Sequence, residues 1–439
     1  AAAAAQPAWA ATPWPQRLEV LRGCADAVSD AADELAALMS IEVGKNRLEA
    51  LGDVEEAAVF FRYYSDIMAA NDGYDVAMDT LSEQEQTRSV LKPHGVWGVI
   101  SPFNFPAALA AGPAAAALVA GNAVVVKPSL QGSATAARLH EVLTGAGLPE
   151  GLLQLVPGGD EVGRALVSSP GVAGLTFTGS YEAGMAILRA GGSAWPRPVI
   201  AEMGGKNPAV VTASADLDDA AAGIARSAFG FSGQKCSACS RVYVDASVHE
   251  ELVRRLAERA RAVAVGDPSQ RTTYMGPVVD ARAVERFRDA VAQARQRGEV
   301  VAGGEVLTGP ELPGHYVAPT VVTGLAADDP LLTTELFLPF VAVVPVASLD
   351  EAIGEANRTV FGLTAGLFSG DDAEVAEFLR RIEAGVVYVN RPAGATTGAW
   401  PGIQPFGGWK GSGSSGKAGG GRHYLALYLR EQSQTVVTR

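Results

Sequence analysis

The chain has 439 residues, 48% of them apolar and 19% charged, and a formal net charge of −13. That length supports a large core and more than one domain, and the balance is ordinary for a soluble globular protein. The acidic excess argues against a surface built for nucleic acid or an anionic membrane.

In chain order, the opening Ala-rich run lacks a basic region and a clear hydrophobic segment, so it does not read as a signal peptide. From Leu18 the apolar residues Leu18, Leu21, Ala25, Val28, Ala32, Leu35 and Met39 step by three and four, which predicts one amphipathic helix. Cys24 flanks that stripe and reads as packing. A second helix is expected over Val54 to Met68, ended by the Asn71-Asp72-Gly73 turn. Gly95 to Val126 carries no charge, but Pro102, Pro106, Pro113 and Gly121-Asn122 break it. It reads as a buried strand, loop, helix and strand rather than a membrane span.

The runs VWGVIS, AVVVKPS, LLQLVPG and GLTFTGS then read as strands, with helices such as SATAARLHEVLTGAG between them. Repeated βαβ units predict a parallel sheet covered on both faces. A second series follows with PAVVTA, SRVYVDA, helices around 247–265 and 281–297, then VAVVPVAS, LTAGLFSG and AGVVYVN. The fold class is therefore α/β with two sheet-forming units. The closing segment HYLALYLREQSQTVVTR looks like a strand with many polar residues, which must pair and can do so in an oligomer contact.

The three cysteines, Cys24, Cys236 and Cys239, do not make a disulfide framework and suggest a reducing, cytoplasmic setting. The histidines His94, His140, His249, His315 and His423 are scattered without ligand spacing, so no metal site is expected.

Four peptides carry candidate chemistry. SGQKCSACSR pairs Cys236 and Cys239 at C-x-x-C spacing and runs into a strand, whereas a redox pair normally opens a helix. Lys235 beside Cys236 favours a thiolate. On this peptide alone, two small buried hydrophobes remain an equal reading. In AEMGGKNPAV, Glu202 precedes Gly-Gly at a constricted turn, where burial can make a general base. In ISPFNFPAAL, Asn104 sits among aromatic residues and can donate to an oxyanion. GLTFTGSYEAG ends a strand in Gly179-Ser180 and leads to a helix N-terminus able to receive a pyrophosphate, without a G-x-G-x-x-G.

SPFNFP, VVVKPS, FTGS, EMGGKNP, GQKCSACSR and QPFGGWKGSG stand here in the order found in aldehyde dehydrogenases, and the resemblance covers essentially the whole chain. Within that superfamily GQKCSACSR, TGAWPGIQPFGG and SGKAGG most resemble the 1-pyrroline-5-carboxylate (L-glutamate γ-semialdehyde) dehydrogenases. The resemblance implies Cys236 as nucleophile, Cys239 as a packed neighbour, Glu202 as general base and Asn104 as oxyanion donor with the Cys236 N–H. It implies an NAD site, with NADP possible, from Ser101, Phe103, Lys127, Gly179, Ser180, Glu335 and Phe337. For the substrate it implies Gly398 and Ala399 as carboxylate anchors, Ser237 and Lys235 beside them, and Phe105 and Phe406 around the aliphatic chain.

Several positions depart from the family pattern. Leu130 stands where many members carry an acid at the adenosine ribose. Leu338 replaces a glycine in TELFLPF, where its side chain can crowd the cofactor. NRPAGATTGAWPG is longer than the corresponding loop, and no acids for a substrate amine are evident around Ala69 to Asp72. The first residues resemble the middle of the family's N-terminal helical region.

The resulting expectation has three parts. Residues 1–72 and 92–203 form a nucleotide-binding domain, 204–420 a catalytic domain, and 73–91 with 421–439 an arm for a homo-oligomer. The expected reaction is NAD(P)-dependent oxidation of L-glutamate γ-semialdehyde in proline breakdown. The substrate is a small-molecule aldehyde, with neither nucleic acid nor membrane as partner. The rivals are a dehydrogenase for another semialdehyde or aromatic aldehyde, and a non-catalytic binding or structural member of the family.

Overall fold

The computed structural model describes residues 1–190 and 196–437. Residues 191–195, inside the segment expected to hold the nucleotide, and 438–439, at the end of the expected arm, lie outside the described residues.

The chain opens with helices Ala2–Ala11, Trp14–Asp30, Ala32–Val43 and Arg47–Ala70. The single helix expected from Leu18 to Met39 is thus two, broken at Ala31 (φ −90°, ψ 10°). The stripe crosses the break unchanged, because Leu21, Ala25 and Val28 on one helix and Leu35 and Met39 on the next bury into one core. Apolar spacing alone does not register a one-residue interruption of that kind. Gly44, at φ 76°, ends the third helix in the left-handed conformation, where a Cβ would also strike Pro277 at 2.7 Å. The fourth helix begins earlier than expected because Asn46 caps it, its side chain accepting from the Glu49 N–H at 2.9 Å. Asn71 and the left-handed Gly73 end it, as the sequence predicts.

The first sheet has the spatial order Leu153–Leu155, Ala123–Pro128, Val96–Ser101, Gly174–Thr178 and Val199–Glu202, with every pairing parallel. Ala108–Val119, the helix expected inside the uncharged stretch, packs against it, and that helix is buried along almost its whole length. The second sheet runs Glu299–Ala302, Thr320–Thr323, Phe340–Val346, Cys239–Asp245, Asn207–Val211, Thr364–Phe368 and Val386–Val389. It is parallel except for its first edge strand, which pairs antiparallel. Among the described residues no helix is long and apolar enough to cross a membrane.

A third, small sheet joins Asp75–Ala77, Glu85–Pro93 and the polar C-terminal strand Leu429–Val437, antiparallel throughout. The C-terminal segment is strand only from Leu429, after a single 3₁₀ turn over Leu425–Tyr428.

Two features place the site. Ser101, Pro128, Thr178 and Glu202 all end strands of the first sheet, so they share one edge, the edge at which parallel α/β sheets bind ligands. Only Met203 to Lys206 separate that edge from the start of the second sheet at Asn207. The other feature is a fully buried ion pair. Lys45 Nζ donates to Asp53 Oδ2 at 2.7 Å, and Asp53 Oδ1 accepts from the Ala108 N–H at 2.7 Å. The Lys45 ammonium also lies 3.6 Å from the centre of the Phe105 ring. This cluster fixes the Asn104–Phe105 loop against the helical layer. Asp53→Ala leaves the Lys45 charge buried and unpaired. It is expected to lower stability by about 3–5 kcal/mol, seen as a lower unfolding midpoint in denaturant titration.

Candidate active site

The segment before Cys236 turns sharply. Phe231, Ser232 and Gly233 are all left-handed, with φ of 47°, 55° and 66°. Two non-glycine residues in that region store strain that their surroundings must hold. Here Ser232 Oγ donates to the Gly276 carbonyl at 2.7 Å. Gln234 is fully buried, and its Oε1 accepts from the Val279 N–H at 2.8 Å. Its backbone carbonyl accepts from Asn104 Nδ2 at 3.1 Å. Asn104, itself buried, is thereby held two residues from Cys236.

The turn is also supported from below. Asn207 Nδ2 donates to the Cys236 carbonyl at 2.7 Å and to the Ala238 carbonyl at 2.9 Å. Its Oδ1 accepts from the Thr364 N–H at 3.0 Å. A Cβ at Gly205 would lie 2.5 Å from the Cys236 carbonyl oxygen. The sequence reading singled out neither Asn207 nor Gln234. A buried amide with every bond made would have been the signal, and it is visible only in three dimensions.

Cys236 is partly exposed and Cys239 is buried, its thiol donating to the Arg241 carbonyl at 3.7 Å. Burial pushes the Cys236 thiol up to about 12, with the charges of Glu335 and Glu202 adding to the effect. The backbone N–H groups of Ser237 and of Cys236 itself oppose that shift. These N–H groups and the Asn104 amide are donors of the kind that stabilise an oxyanion.

Glu202 is the last residue of strand Val199–Glu202, a strand the sequence reading did not identify. Its Oε2 accepts from the Gly408 N–H at 2.9 Å, and burial raises its pKa to about 8 against that bond. Glu335 accepts from the Gly205 N–H at 2.9 Å, and burial raises it to about 7. Its carboxylate lies so close over Gly204 that a Cβ there would overlap it. Lys206 is buried with no hydrogen-bond partner for its ammonium, and burial lowers it to about 7. Two carboxylates with pKa values near neutrality around one thiol can exchange protons at physiological pH.

Along the first sheet's edge, the buried Ser101 hydroxyl has no partner. Lys127 is largely buried and donates to the Pro128 carbonyl at 3.0 Å. Ser180 Oγ accepts from the Ala183 N–H at 3.3 Å at the start of helix Tyr181–Ala190. Phe103 and Phe337 meet edge to face with ring centres 5.9 Å apart. Leu130 is exposed. Leu338, which in place of a glycine could have crowded the cofactor, buries its side chain in the core cluster of the second sheet that also holds Phe287 and Phe340. The residue before it, Phe337, is left-handed (φ 59°).

Of the substrate residues, Lys235 makes an ion pair with Glu49, so its charge is shared with a carboxylate. The Ser237 carbonyl accepts from Thr396 Oγ1 at 2.7 Å, which ties the loop carrying Gly398 and Ala399 to the residue after Cys236. Phe406 pairs with Gly419 through both backbone bonds. Asp72, in the Ala69 to Asp72 segment, is exposed. A half-buried carboxylate nearby is Glu56, on helix Arg47–Ala70, raised to about 8 by loss of solvation and then by Asp53. It interacts electrostatically with Tyr388, whose buried hydroxyl has no partner. Among the described residues no group of His, Cys, Asp and Glu could hold a metal ion.

The sequence pattern described as "Aldehyde dehydrogenase family" matches residues 1–434. The 1-pyrroline-5-carboxylate dehydrogenase of Bacillus cytotoxicus is 40% identical over 424 residues, which are 95% of this chain and 80% of that protein. The crystal structure of 1-pyrroline-5-carboxylate dehydrogenase from Thermus with bound NAD superposes with a TM-score of 0.95 at 34% identity, covering 100% of this chain and 84% of that one. Proline utilization A from Bdellovibrio bacteriovorus gives a TM-score of 0.94 at 37% identity, covering 100% of this chain and 45% of that one.

Gly205→Ala pushes against the Cys236 carbonyl and is expected to cost about 1–3 kcal/mol in overpacking. It is also expected to slow alkylation of Cys236 by iodoacetamide, followed by mass spectrometry, while Cys239 stays unmodified. An unchanged Cys236 rate would show that the turn yields freely.

Proposed function

The chain belongs to the aldehyde dehydrogenase family, and on that premise we propose that it oxidises L-glutamate γ-semialdehyde to L-glutamate with NAD as acceptor. The semialdehyde is the hydrolysed, open form of 1-pyrroline-5-carboxylate, so the reaction belongs to proline breakdown. The observation that carries the substrate assignment is the bond from Thr396 to the Ser237 carbonyl. It keeps the loop that carries the Gly398 and Ala399 N–H groups next to the nucleophile, as an aldehyde that also bears a carboxylate requires.

Cys236 passes its thiol proton to one of the two carboxylates beside it, Glu335 or Glu202, and its sulfur adds to the aldehyde carbon; the oxygen that becomes anionic is met by Asn104 Nδ2 and the Cys236 N–H. Bound NAD supplies the hydride acceptor. Residues that fit it are Ser101, whose buried hydroxyl lacks a partner, Lys127 and the Gly179-Ser180 turn along the sheet edge. Glu335 and Phe337, in the loop before strand Phe340–Val346, would complete its site, with Phe337 packed on Phe103. The thioester left on Cys236 is opened by a water from which Glu202 takes a proton. Burial, by raising the pKa of this carboxylate to about 8, makes it a stronger base for that step. Gly398, Ala399 and the Ser237 hydroxyl receive the substrate carboxylate, and Glu56 receives its ammonium. Phe105 and Phe406 flank the carbon chain, and Lys235, its charge shared with Glu49, adds positive potential near the carboxylate. The exposed Leu130 offers the ribose no acid, so NADP is a second acceptor to test.

The two sheets supply the proposed nucleotide and catalytic domains, and the small antiparallel sheet the oligomer arm. Support for the arm comes from its exposed Val76, Met78, Leu81, Val436 and Val437, and from the C-terminal strand at the sheet's outer position. Three unpaired cysteines fit a cytoplasmic location.

NADH formation at 340 nm with 1-pyrroline-5-carboxylate, beside propanal and benzaldehyde, tests the substrate. Preference for the first supports the reading. Turnover of the simple aldehydes alone leaves the chemistry and removes the carboxylate anchor, and silence with all three favours a binding or structural member. Cys236→Ala is expected to abolish oxidation. Glu202→Gln is expected to release one burst of NADH and then stall. Because the base works ionised, wild-type turnover limited by thioester opening should rise as pH passes upward through about 8. Full steady turnover in Glu202→Gln would remove Glu202 from that role. Light scattering should give a mass of at least two 45.3-kDa chains, and a monomer would remove the arm.

A further inference from the structure

The loop that follows strand Val386–Val389 is organised by one side chain. Asn390 is left-handed (φ 49°) and turns the chain out of the sheet. Arg391 then folds back over the loop. Its Nη1 donates to the Gly394 carbonyl at 3.3 Å and also to the Thr397 carbonyl. Its guanidinium carbon lies 5.1 Å from the centre of the Tyr388 ring, within cation–π range. Gly398 has φ 111°, and a Cβ built there would lie 2.5 Å from Arg391 Nη2. The guanidinium therefore packs directly against the Gly398 backbone. Among the described residues Arg391 takes part in none of the ion pairs, so its charge is not spent on a carboxylate.

The geometry of a trans peptide gives this contact a consequence. The carbonyl of Thr397 and the N–H of Gly398 belong to the same planar unit and point in opposite directions. Holding the carbonyl on Arg391 turns the N–H of Gly398 away from the arginine. The residues just before are fixed separately. The Thr396 N–H donates to Ser227 Oγ at 3.1 Å, and Thr396 Oγ1 donates to the Ser237 carbonyl. The Thr397 hydroxyl also bonds Ser227 Oγ at 3.2 Å, and Arg391 fixes the orientation of the peptide that follows.

We propose that Arg391 is a positioning residue for substrate selection, clamping the Thr397–Gly398 peptide so that the Gly398 N–H meets a carboxylate while a full positive charge stands behind it. The proposal rests on the reading that Gly398 and Ala399 receive the substrate carboxylate. A pre-oriented N–H costs less to engage than one on a free loop, and the cation behind it strengthens the bond to an anion. The ligand class selected is an aldehyde whose far end is a carboxylate. Simple aldehydes, which have no such end, gain nothing from it.

The test compares kcat/KM for 1-pyrroline-5-carboxylate with that for propanal in the wild type, Arg391→Gln and Arg391→Lys, with circular dichroism melts to establish folding. The expected result is a selectivity ratio at least about tenfold lower in Arg391→Gln, mostly through KM for 1-pyrroline-5-carboxylate, as loss of a charge-assisted contact implies. Arg391→Lys keeps the charge but loses the planar fork, and about a threefold or larger loss is expected. If Arg391→Gln does not fold, Arg391→Lys decides by that threshold. A wild-type preference that survives within twofold in the folded variants overturns the proposal alone. A wild type without preference for 1-pyrroline-5-carboxylate overturns the substrate reading and the proposal with it.

Discussion

The carbonyl oxygen of Cys236 rests on the Asn207 amide at 2.7 Å, over a gap that exists because residue 205 is glycine. Most of the site depends on this contact. One side chain reaches both sides of the cysteine turn and the strand beginning at Thr364, so the turn cannot shift without breaking buried hydrogen bonds. Glu335 shares the same footing, since it is held by the Gly205 N–H. The left-handed run from Phe231 to Gly233 is tolerated for the same reason: Ser232 and Gln234 fasten it on the opposite side. Strain of this kind persists only where the surroundings over-determine it.

The electrostatics follow from that enclosure. In a chain with an excess of acid, burial raises Glu202 and Glu56 to about 8 and Glu335 to about 7. The same enclosure disfavours the thiolate of Cys236. A neutral thiol is protected from oxidation, and a carboxylate near neutrality beside it can take a proton when an electrophile arrives. The lone ammonium of Lys206 fits this picture, because burial lowers its pKa and so reduces the energy of leaving it without a partner.

The sequence was most legible where function lies in contiguous peptides. The strands ending at Ser101, Pro128 and Thr178, the uncharged helix Ala108–Val119 and the polar C-terminal strand all follow from periodicity and turn residues. Family motifs pointed to Cys236, Glu202 and Asn104, which the fold gathers at the junction of two sheets. What stayed hidden depends on contacts across the chain. Lys235 reads as a free cation beside the thiol until Glu49, far away in sequence, is found paired to it. Glu56 reads as one acid on a helix face until burial and the orphaned Tyr388 hydroxyl mark it. The strand Val199–Glu202 is too short to show an alternation, and the burial of Leu338 in the core is visible only in the fold.

The nucleophile and the selecting loop are mechanically joined. The Ser237 carbonyl accepts from Thr396 at 2.7 Å and from Thr364 at 3.4 Å, so one backbone group carries both the anchor loop and the strand beneath the active site. Any rearrangement of residues 391–399 that pulls on Thr396 also pulls on the residue following Cys236. Pro392 and Ala393 are the exposed residues of that loop. Arg391 spans them by bonding carbonyls on their far side, at Gly394 and Thr397. The load on the loop is thus carried by Arg391 and Thr396, and the peptide next to the thiol keeps its place.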